Sequence, residues 1–124
     1  MNAELAAAFD TQLQQAREHV AASRLEAAYA CLERAHVLGQ WHTLPHLRTH
    51  WALLQLGLQR RDVREIVGQV LRLAAAMIAT PVGLVPAGNT GGARVSPWRA
   101  MPIDPDAKRL LRNDPRSARG LEKR

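Results

Sequence analysis

The chain has 124 residues, which corresponds to one domain, and its 47% hydrophobic content excludes a wholly disordered protein. A single cysteine, Cys31, excludes both an intramolecular disulfide and a cysteine-based zinc finger, and it is compatible with a reducing compartment. The formal net charge of +6 belongs mainly to the C-terminal part, because residues 1–79 hold eight arginines and seven acids, whereas residues 80–124 hold nine basic and four acidic residues.

Two antiparallel helices are predicted for the N-terminal part. Apolar residues at helical spacing predict a first helix over residues 2–22, with Asn2 as its cap. Ser23 and Glu26 form the S-x-x-E pattern of a capping box, which predicts the start of a second helix. Gly39 predicts the end of that helix in a left-handed conformation. Because the turn between the two helices is short, we expect them to pack against each other.

A third and a fourth helix are predicted further along the chain. The third covers residues 44–58, with Thr43 as its cap. Its main apolar face consists of Leu44, Leu47, Trp51, Leu54 and Leu58. The fourth begins after Asp62, which is its predicted cap. The apolar stripe of this helix, which we expect to face the bundle, consists of Val63, Ile66, Val67, Val70, Ala74, Met77 and Ile78. The residues predicted on the opposite face are Glu65, Gln69 and Arg72.

The amino-acid composition of the chain changes from residue 80 onward. Residues 80–103 are dense in proline and glycine, which predicts an irregular strap that packs on the helices. Asp104 and Pro105 are predicted as the cap and first residue of a short helix, and the last ten residues are expected to be mobile. The predicted fold is all-α, with a four-helix bundle-like set of helical hairpins over residues 1–79, the strap, and a short helix with a basic mobile tail over residues 104–124.

Four of the five histidines lie between residues 36 and 50, and their spacing predicts a metal site. His46 and His50 are four residues apart on a helix, a spacing that lets two imidazoles converge on one ion. Glu33 and His36 lie three apart near the end of the preceding helix, so their side chains share one helix face. The short connection brings these two helix ends together. The predicted ligands, Glu33, His36, His46 and His50, suit zinc, iron, copper or nickel.

Other residues are weaker candidates for this site. His19 could join it or orient a ligand, whereas His42 lies roughly 12 Å from His50 by helical rise, too far to share an ion. The stretch "PAGNTGGARV" lacks the lysine and the preceding strand of a phosphate-binding loop. We expect its Asn89 and Thr90 to bond helix ends or to cover the histidines. Because imidazole must be neutral to bind a metal, affinity is expected to fall below about pH 6.

The motifs "LERAHVLGQ", "HLRTHW" and "GNTGG", in this order, resemble a family of small bacterial proteins known as a domain of unknown function. The resemblance covers residues 5–105 and excludes the basic end of the chain. It implies a helical domain with no established reaction, and family members tend to be encoded among heavy-metal or cation-efflux genes. The matching residues are Glu33, His36, Gln40, His46, His50, Gly88, Asn89, Thr90, Gly91 and Gly92.

Three functions remain open from the sequence. The leading one is a metal-binding accessory protein that acts as a sensor, buffer or delivery protein. The second is an adapter that binds a protein partner, because Ala28, Leu32 and Ala35 match the spacing in the second helix of a tetratricopeptide repeat. In that case the histidines are hydrogen-bonded core residues. The third is a small metal-dependent oxidase or hydrolase, for which the sequence identifies no acid or base.

The sequence also bears on location and partners. The N-terminus does not resemble a signal peptide, and no window is apolar enough for a membrane span, so a cytoplasmic protein is expected. Nucleic acid is not expected as a partner, because the basic tail also carries acids and lacks interleaved aromatic residues. The oligomeric state cannot be derived from these patterns.

Overall fold

The structure is a computed structural model that describes residues 1–122, and this part of the chain contains six helices and no strand. The helices are α1 (Ala3–Ala21), α2 (Leu25–Gly39), α3 (Thr43–Arg60), α4 (Val63–Ala79), α5 (Pro105–Asn113) and α6 (Pro115–Glu122). Helix α1 packs on α2, α2 on α3, and α3 on α4. The prediction of an all-α fold with helical hairpins is therefore confirmed. None of the helices within residues 1–122 is long and apolar enough to cross a membrane.

The hydrophobic core is formed by α1, α2 and α3, and the strap and α5 cover it. Phe9 of α1, Leu38 of α2 and Leu53 of α3 are buried at its centre. Val85 of the strap and Leu111 of α5 belong to the same cluster. Helix α4 contributes no residue to this cluster, so its position must depend on other contacts.

Three of the predicted helix starts are confirmed by their caps. The side chains of Asn2, Asp62 and Asp104 accept the backbone N–H three residues onward, at 2.8, 3.0 and 3.0 Å respectively. A short polar side chain at this position satisfies one of the free N–H groups of the first helical turn. The caps therefore locate the starts of α1, α4 and α5 in the sequence itself.

Three other predictions about helix ends are wrong. Ser23 has a φ of +58° and lies in the turn, so the predicted capping box does not form and α2 begins without a side-chain cap. Thr43 is the first helical residue of α3, and His42 takes the cap position. Gly39 is not left-handed. It is needed for packing, because a Cβ there would lie 2.8 Å from Cε2 of Phe9.

Helix α3 turns towards the core a face that differs from the predicted one. Its buried residues are His46, Thr49, His50, Leu53, Leu54, Leu56 and Gly57. Of the predicted face only Leu54 is buried, and Leu44, Trp51 and Leu58 are each more than half exposed. The buried face includes three polar residues because each of them finds a hydrogen-bond partner inside the protein.

Helix α4 is inverted relative to its prediction. Glu65, Gln69 and Ala76 are buried, whereas Val67 and Val70 of the apolar stripe are more than half exposed. The periodicity of the stripe is real, but it does not determine which side of the helix meets the bundle. Buried polar groups stabilise this arrangement because they are hydrogen-bonded to one another and to the strap.

The C-terminal segment contains a helix that was not predicted from the sequence. Residues 115–122 form α6, whose Ser117 is buried and donates its N–H and hydroxyl to Asp114 at 3.0 and 2.9 Å. These eight residues, for which a mobile end was expected, are thus helical in the structure. The last two residues, 123 and 124, lie outside the described part of the chain.

Candidate metal centre

Three histidines from two helices meet where α2 ends and α3 begins. His36 lies in the last turn of α2, and His46 and His50 lie one turn apart near the start of α3. Only residues 40–42 separate the two helices, so the helix ends are necessarily close. All three side chains are buried. The predicted convergence of these three imidazoles on one point is what the structure contains.

The Nε2 atoms of the three rings face one another. The Nε2–Nε2 distances are 2.8 Å for His36 and His46, 3.0 Å for His46 and His50, and 3.2 Å for His36 and His50. The ring centroids lie 4.6–4.7 Å apart. Each ring therefore directs the same nitrogen into a shared central space.

The Nδ1 atoms are held by separate partners. Nδ1 of His36 lies 2.7 Å from the carbonyl oxygen of Asn89, and Nδ1 of His46 lies 2.6 Å from the hydroxyl of Thr80. Nδ1 of His50 lies 2.7 Å from Oε1 of Gln69, whose Nε2 donates to Glu65. Each ring thus has its rotation restricted by a hydrogen bond on the side away from the cluster.

These contacts determine where the protons are. A carbonyl oxygen can only accept, so His36 must donate from Nδ1, and His50 must do the same towards Oε1 of Gln69. The neutral rings of His36 and His50 then present lone pairs at Nε2, and no proton lies between these two atoms. Lone pairs on nitrogens 3.2 Å apart repel each other, and either a cation or the Nε2–H of His46, whose partner Thr80 allows both tautomers, would relieve this repulsion.

The imidazoles are neutral at physiological pH. Burial lowers the pKa of His46 to about 3 and that of His50 to about 4, and the proximity of His50 also lowers the pKa of His46. Burial, followed by the two neighbouring imidazoles, lowers the pKa of His36 well below its usual range. The lone pairs are therefore available for a metal at a lower pH than the sequence alone suggests.

The spacing fits a transition-metal ion. A metal bound at 2.0–2.1 Å by tetrahedral nitrogens requires nitrogen atoms roughly 3.3 Å apart. The observed distances of 2.8–3.2 Å need an expansion of only a few tenths of an ångström. Three imidazole nitrogens suit zinc, copper, nickel or iron, and they are poor ligands for calcium or magnesium.

A cavity of about 440 Å³ lies beside the cluster. The three imidazoles form part of its wall, and the rest is mainly apolar. Side chains from α4 and the strap contribute most of this apolar wall, including Leu71, Ala76, Val85, Pro86 and Trp98. An ion held by three nitrogens would thus have a coordination position open towards a space large enough for a small molecule.

A buried polar network supports His50. The carboxylate of Glu65 accepts from the hydroxyl of Tyr29 at 3.0 Å, from Nε2 of Gln69 at 2.6 Å, and from the N–H of Ala93 at 3.1 Å. Because Gln69 is held by Glu65, its Oε1 is held in place to accept the hydrogen bond from Nδ1 of His50. Groups of this kind fix the orientation and protonation of metal-binding histidines in proteins generally.

The sequence interpretation missed Glu65 and Gln69, because it placed them on the solvent face of α4. One signal was present: three polar residues, Glu65, Gln69 and Arg72, lie together on one side of a largely apolar helix. Arg72 is half-buried beside this network and donates to the carbonyl of Val95 at 2.7 Å. A helix with a polar stripe opposite an apolar one can turn either stripe towards the bundle. The polar stripe is favoured here because the buried imidazoles nearby need hydrogen-bond partners.

The other candidates from the sequence lie in different places. Glu33 is partly buried with a raised pKa, but its carboxylate is not among the groups that converge with the three imidazoles. His19 accepts a hydrogen bond from Arg24 near the end of α1. His42 lies 2.8 Å from Asp114, a contact that links the start of α3 to the start of α6.

The glycine loop, which is the part of the strap formed by residues 86–95, lies over the three histidines. Asn89 bonds His36 through its backbone carbonyl, and its side chain donates to Ser96 and Arg99 of the strap. Buried Gln40, with its amide oriented to satisfy both atoms, donates to Pro86 and accepts from Gly88, each at 3.0 Å. The glycine loop is thus hydrogen-bonded to the end of α2 and to later residues of the strap.

Substitution of Gly91 is expected to disturb His36 directly. Gly91 has a φ of +78°, and a Cβ added there would overlap the imidazole ring of His36. Gly83 has a nearly equal φ of +76° but open space around it, so Gly83→Ala is a matched control for backbone strain. We expect Gly91→Ala to lower the free energy of unfolding by about 1–3 kcal/mol more than Gly83→Ala in urea titrations. Equal losses for the two variants would contradict the close contact with His36.

Comparison with known proteins identifies the family of the chain. Residues 3–111 match a family described as a protein of unknown function, DUF3703, and the chain belongs to that family. Neither a curated protein nor a solved structure matches it. The family description assigns no reaction, so the functional argument depends on the arrangement of residues around the three histidines.

Proposed function

We propose that this member of the DUF3703 family binds one transition-metal ion through Nε2 of His36, His46 and His50. The observation that supports the proposal most strongly is the convergence of three Nε2 atoms within 2.8–3.2 Å while all three Nδ1 atoms bond to other groups. The lone pairs of His36 and His50 repel each other in this buried arrangement unless a cation or the Nε2–H of His46 lies between them. An ion at the centre relieves that repulsion. Zinc, copper, nickel and iron are the metals that fit the donor set.

Within this proposal, the protein serves metal handling as a sensor, buffer or delivery protein. Three protein ligands leave a coordination position that faces the cavity, through which an exchange partner can reach the ion. A metal that must be released needs such an accessible position. Glu33 is not required as a ligand, because three imidazoles already form a set that binds zinc in other proteins.

A metal-dependent oxidase or hydrolase is the second candidate, and the cavity of about 440 Å³ is the observation that favours it. The same open position would hold a water or substrate atom. Hydrolysis also needs an acid or base in reach, and the carboxylate of Glu65 is already bonded to Tyr29, Gln69 and Ala93. An adapter for a protein partner, the remaining alternative, requires no metal at all.

Metal content of untagged protein tests the proposal. We expect one zinc, copper, nickel or iron ion per chain by elemental analysis, and one bound cobalt with tetrahedral absorption bands after the metal-free protein is titrated. The double variant His46→Ala/His50→Ala should weaken cobalt binding at least about a hundredfold, because each lost imidazole removes a ligand.

The chain offers a matched control for this experiment. His19→Ala/His42→Ala removes two histidines whose rings bond Arg24 and Asp114, away from the cluster, so cobalt binding should be unchanged. Circular dichroism establishes that both double variants fold. Equal cobalt affinity in the two double variants would overturn the assignment of the site, and absence of any bound metal would favour the adapter.

A further inference from the structure

Helix α4 presents a regular apolar face to solvent. This outer face consists of Val63, Val67, Val70, Ala74 and Met77, all of which are exposed. Their spacing alternates between four and three residues, which is the pattern of a helix that packs along a second helix. The buried residues of α4 lie on the opposite side. The helix is therefore built to be covered on two sides, and within residues 1–122 only one side is covered.

The outer face carries no charge along its length. The charged residues of α4 are Arg64, Glu65 and Arg72. By the helical rotation of 100° per residue, Glu65 and Arg72 lie on the opposite side of the helix, and Arg64 lies beside the outer face. A chain with a net charge of +6 keeps copies of itself apart unless the surfaces that meet are uncharged. The outer face is such a surface.

The exposed apolar side chains are concentrated around this face. Nine of the thirteen large hydrophobic side chains exposed in the described residues lie on α4 or the strap. They are Val63, Val67, Val70, Leu71, Met77, Ile78, Val82, Leu84 and Trp98. Each is more than half exposed, so together they present roughly 500 Å² of apolar surface. A standard interface of roughly 800 Å² per partner, about 60% apolar, needs a similar apolar area.

We propose that a second copy of this chain docks on the outer face, with α4 packed antiparallel on α4 about a two-fold axis. Val63 and Met77 each lie seven residues from Val70, so the two ends of the outer face are placed symmetrically about that residue, as a symmetric pair requires. With the axis at Val70, that residue meets its own copy, Val63 meets Met77, and Val67 lies opposite Leu73, beside Ala74. The two α4 helices then lie side by side between the two α3 helices, and the outer face of each is buried by the other.

The docked copy lies next to the cavity of the histidine cluster. Leu71, Leu84 and Trp98 are exposed in the single chain, and they also line that cavity. A second copy on α4 therefore narrows the access to the cavity from this side. The outer face contains none of the three histidines, so the pairing does not depend on the presence of a metal.

Sedimentation equilibrium of metal-free and zinc-loaded protein tests the proposal. Wild-type protein should have twice the mass of the chain under both conditions. Val70→Glu places two carboxylates together at the axis, and it should raise the dimer dissociation constant at least about a hundredfold. Leu44→Glu, at an exposed leucine of α3, is the matched control and should remain dimeric.

A covalent trap locates the axis. In a Cys31→Ser background, Val70→Cys should form an intermolecular disulfide under mild oxidation, because Val70 meets its own copy. Val63→Cys in the same background should form far less of it, since Val63 faces Met77. A monomeric wild-type protein, or a Val70→Glu variant that stays dimeric, would overturn the proposal. Dimers that the Leu44→Glu control also disrupts would show that the interface lies elsewhere.

Discussion

Metal-free protein is expected to lose stability steeply between about pH 6.5 and pH 4. The unfolded chain takes up protons on its histidines below about pH 6.5, whereas His46 and His50 in the folded protein do so only near pH 3 and pH 4. The pKa of His36 is depressed further in the same direction. Because the folded pKa values lie below the unfolded ones, the stabilisation is present above pH 6.5 and is lost as the pH falls.

The expected size of this effect is large. Each of the three groups changes the free energy of unfolding by about 1.4 kcal/mol per pH unit, which gives about 4 kcal/mol per unit for the cluster. A domain with a total stability of about 6 kcal/mol, near the lower end of the usual 5–15 kcal/mol, would therefore unfold near pH 5. Urea titrations at a series of pH values measure the slope directly.

Two comparisons make the acid result specific. His50→Gln keeps a polar side chain and should lower the slope of the free energy of unfolding against pH by about 1.4 kcal/mol per pH unit, the contribution of one proton. His19→Gln, outside the cluster, should leave this slope unchanged. Zinc should shift the unfolding midpoint to lower pH, since it binds the folded protein. A free energy of unfolding that stays constant from pH 7 to pH 5 would show that the cluster is not neutral and buried as described.

Glu65→Gln is expected to destabilise the protein and to weaken metal binding together. Tyr29, Gln69 and Ala93 all donate hydrogen bonds to the carboxylate, and an amide would turn an NH₂ group towards some of these donors. Loss of these buried hydrogen bonds should cost about 2–4 kcal/mol in the free energy of unfolding. Because Gln69 holds Nδ1 of His50, cobalt affinity should also fall about 10–100-fold.

The control for this variant is Glu18→Gln. Glu18 is an exposed residue of α1 that accepts a hydrogen bond from Gln14, so the same chemical change there should alter stability by less than about 0.5 kcal/mol. Cobalt affinity should be unaffected by it. If Glu65→Gln lowered stability but left cobalt affinity intact, the network would support the fold without orienting His50.

The starts of several helices could be predicted because their causes are local. Asn2, Asp62 and Asp104 each satisfy an N–H three residues away, so the relevant contact lies within one helical turn of the sequence. The Ser-x-x-Glu pattern at Ser23 predicted a cap for α2 in the same way, but this cap does not form. The tight turn between α1 and α2 holds Ser23 at a φ of +58°, and this constraint comes from the packing of two helices.

The positions of the three clustered histidines were predictable for a similar reason. His46 and His50 share a helix face by periodicity, and the short link to α2 limits where His36 can lie. Glu33 satisfied the same spacing rule but does not converge with them. Spacing determines that two side chains share a face, whereas their direction relative to a third depends on how the helices cross.

The sequence by itself determined the all-α class, the caps of three helices, and the pair of imidazoles one turn apart on α3. Only the tertiary structure decided that α4 turns Glu65 and Gln69 inward and its valines outward, and that the backbone carbonyl of Asn89 is the group that bonds His36. The physical reason is that an amphipathic helix has two faces, and its own sequence does not determine which of them packs against the rest of the protein. The Nδ1 atoms of the three buried imidazoles require polar partners, and Gln69 of α4, Thr80 and Asn89 are the residues that provide them.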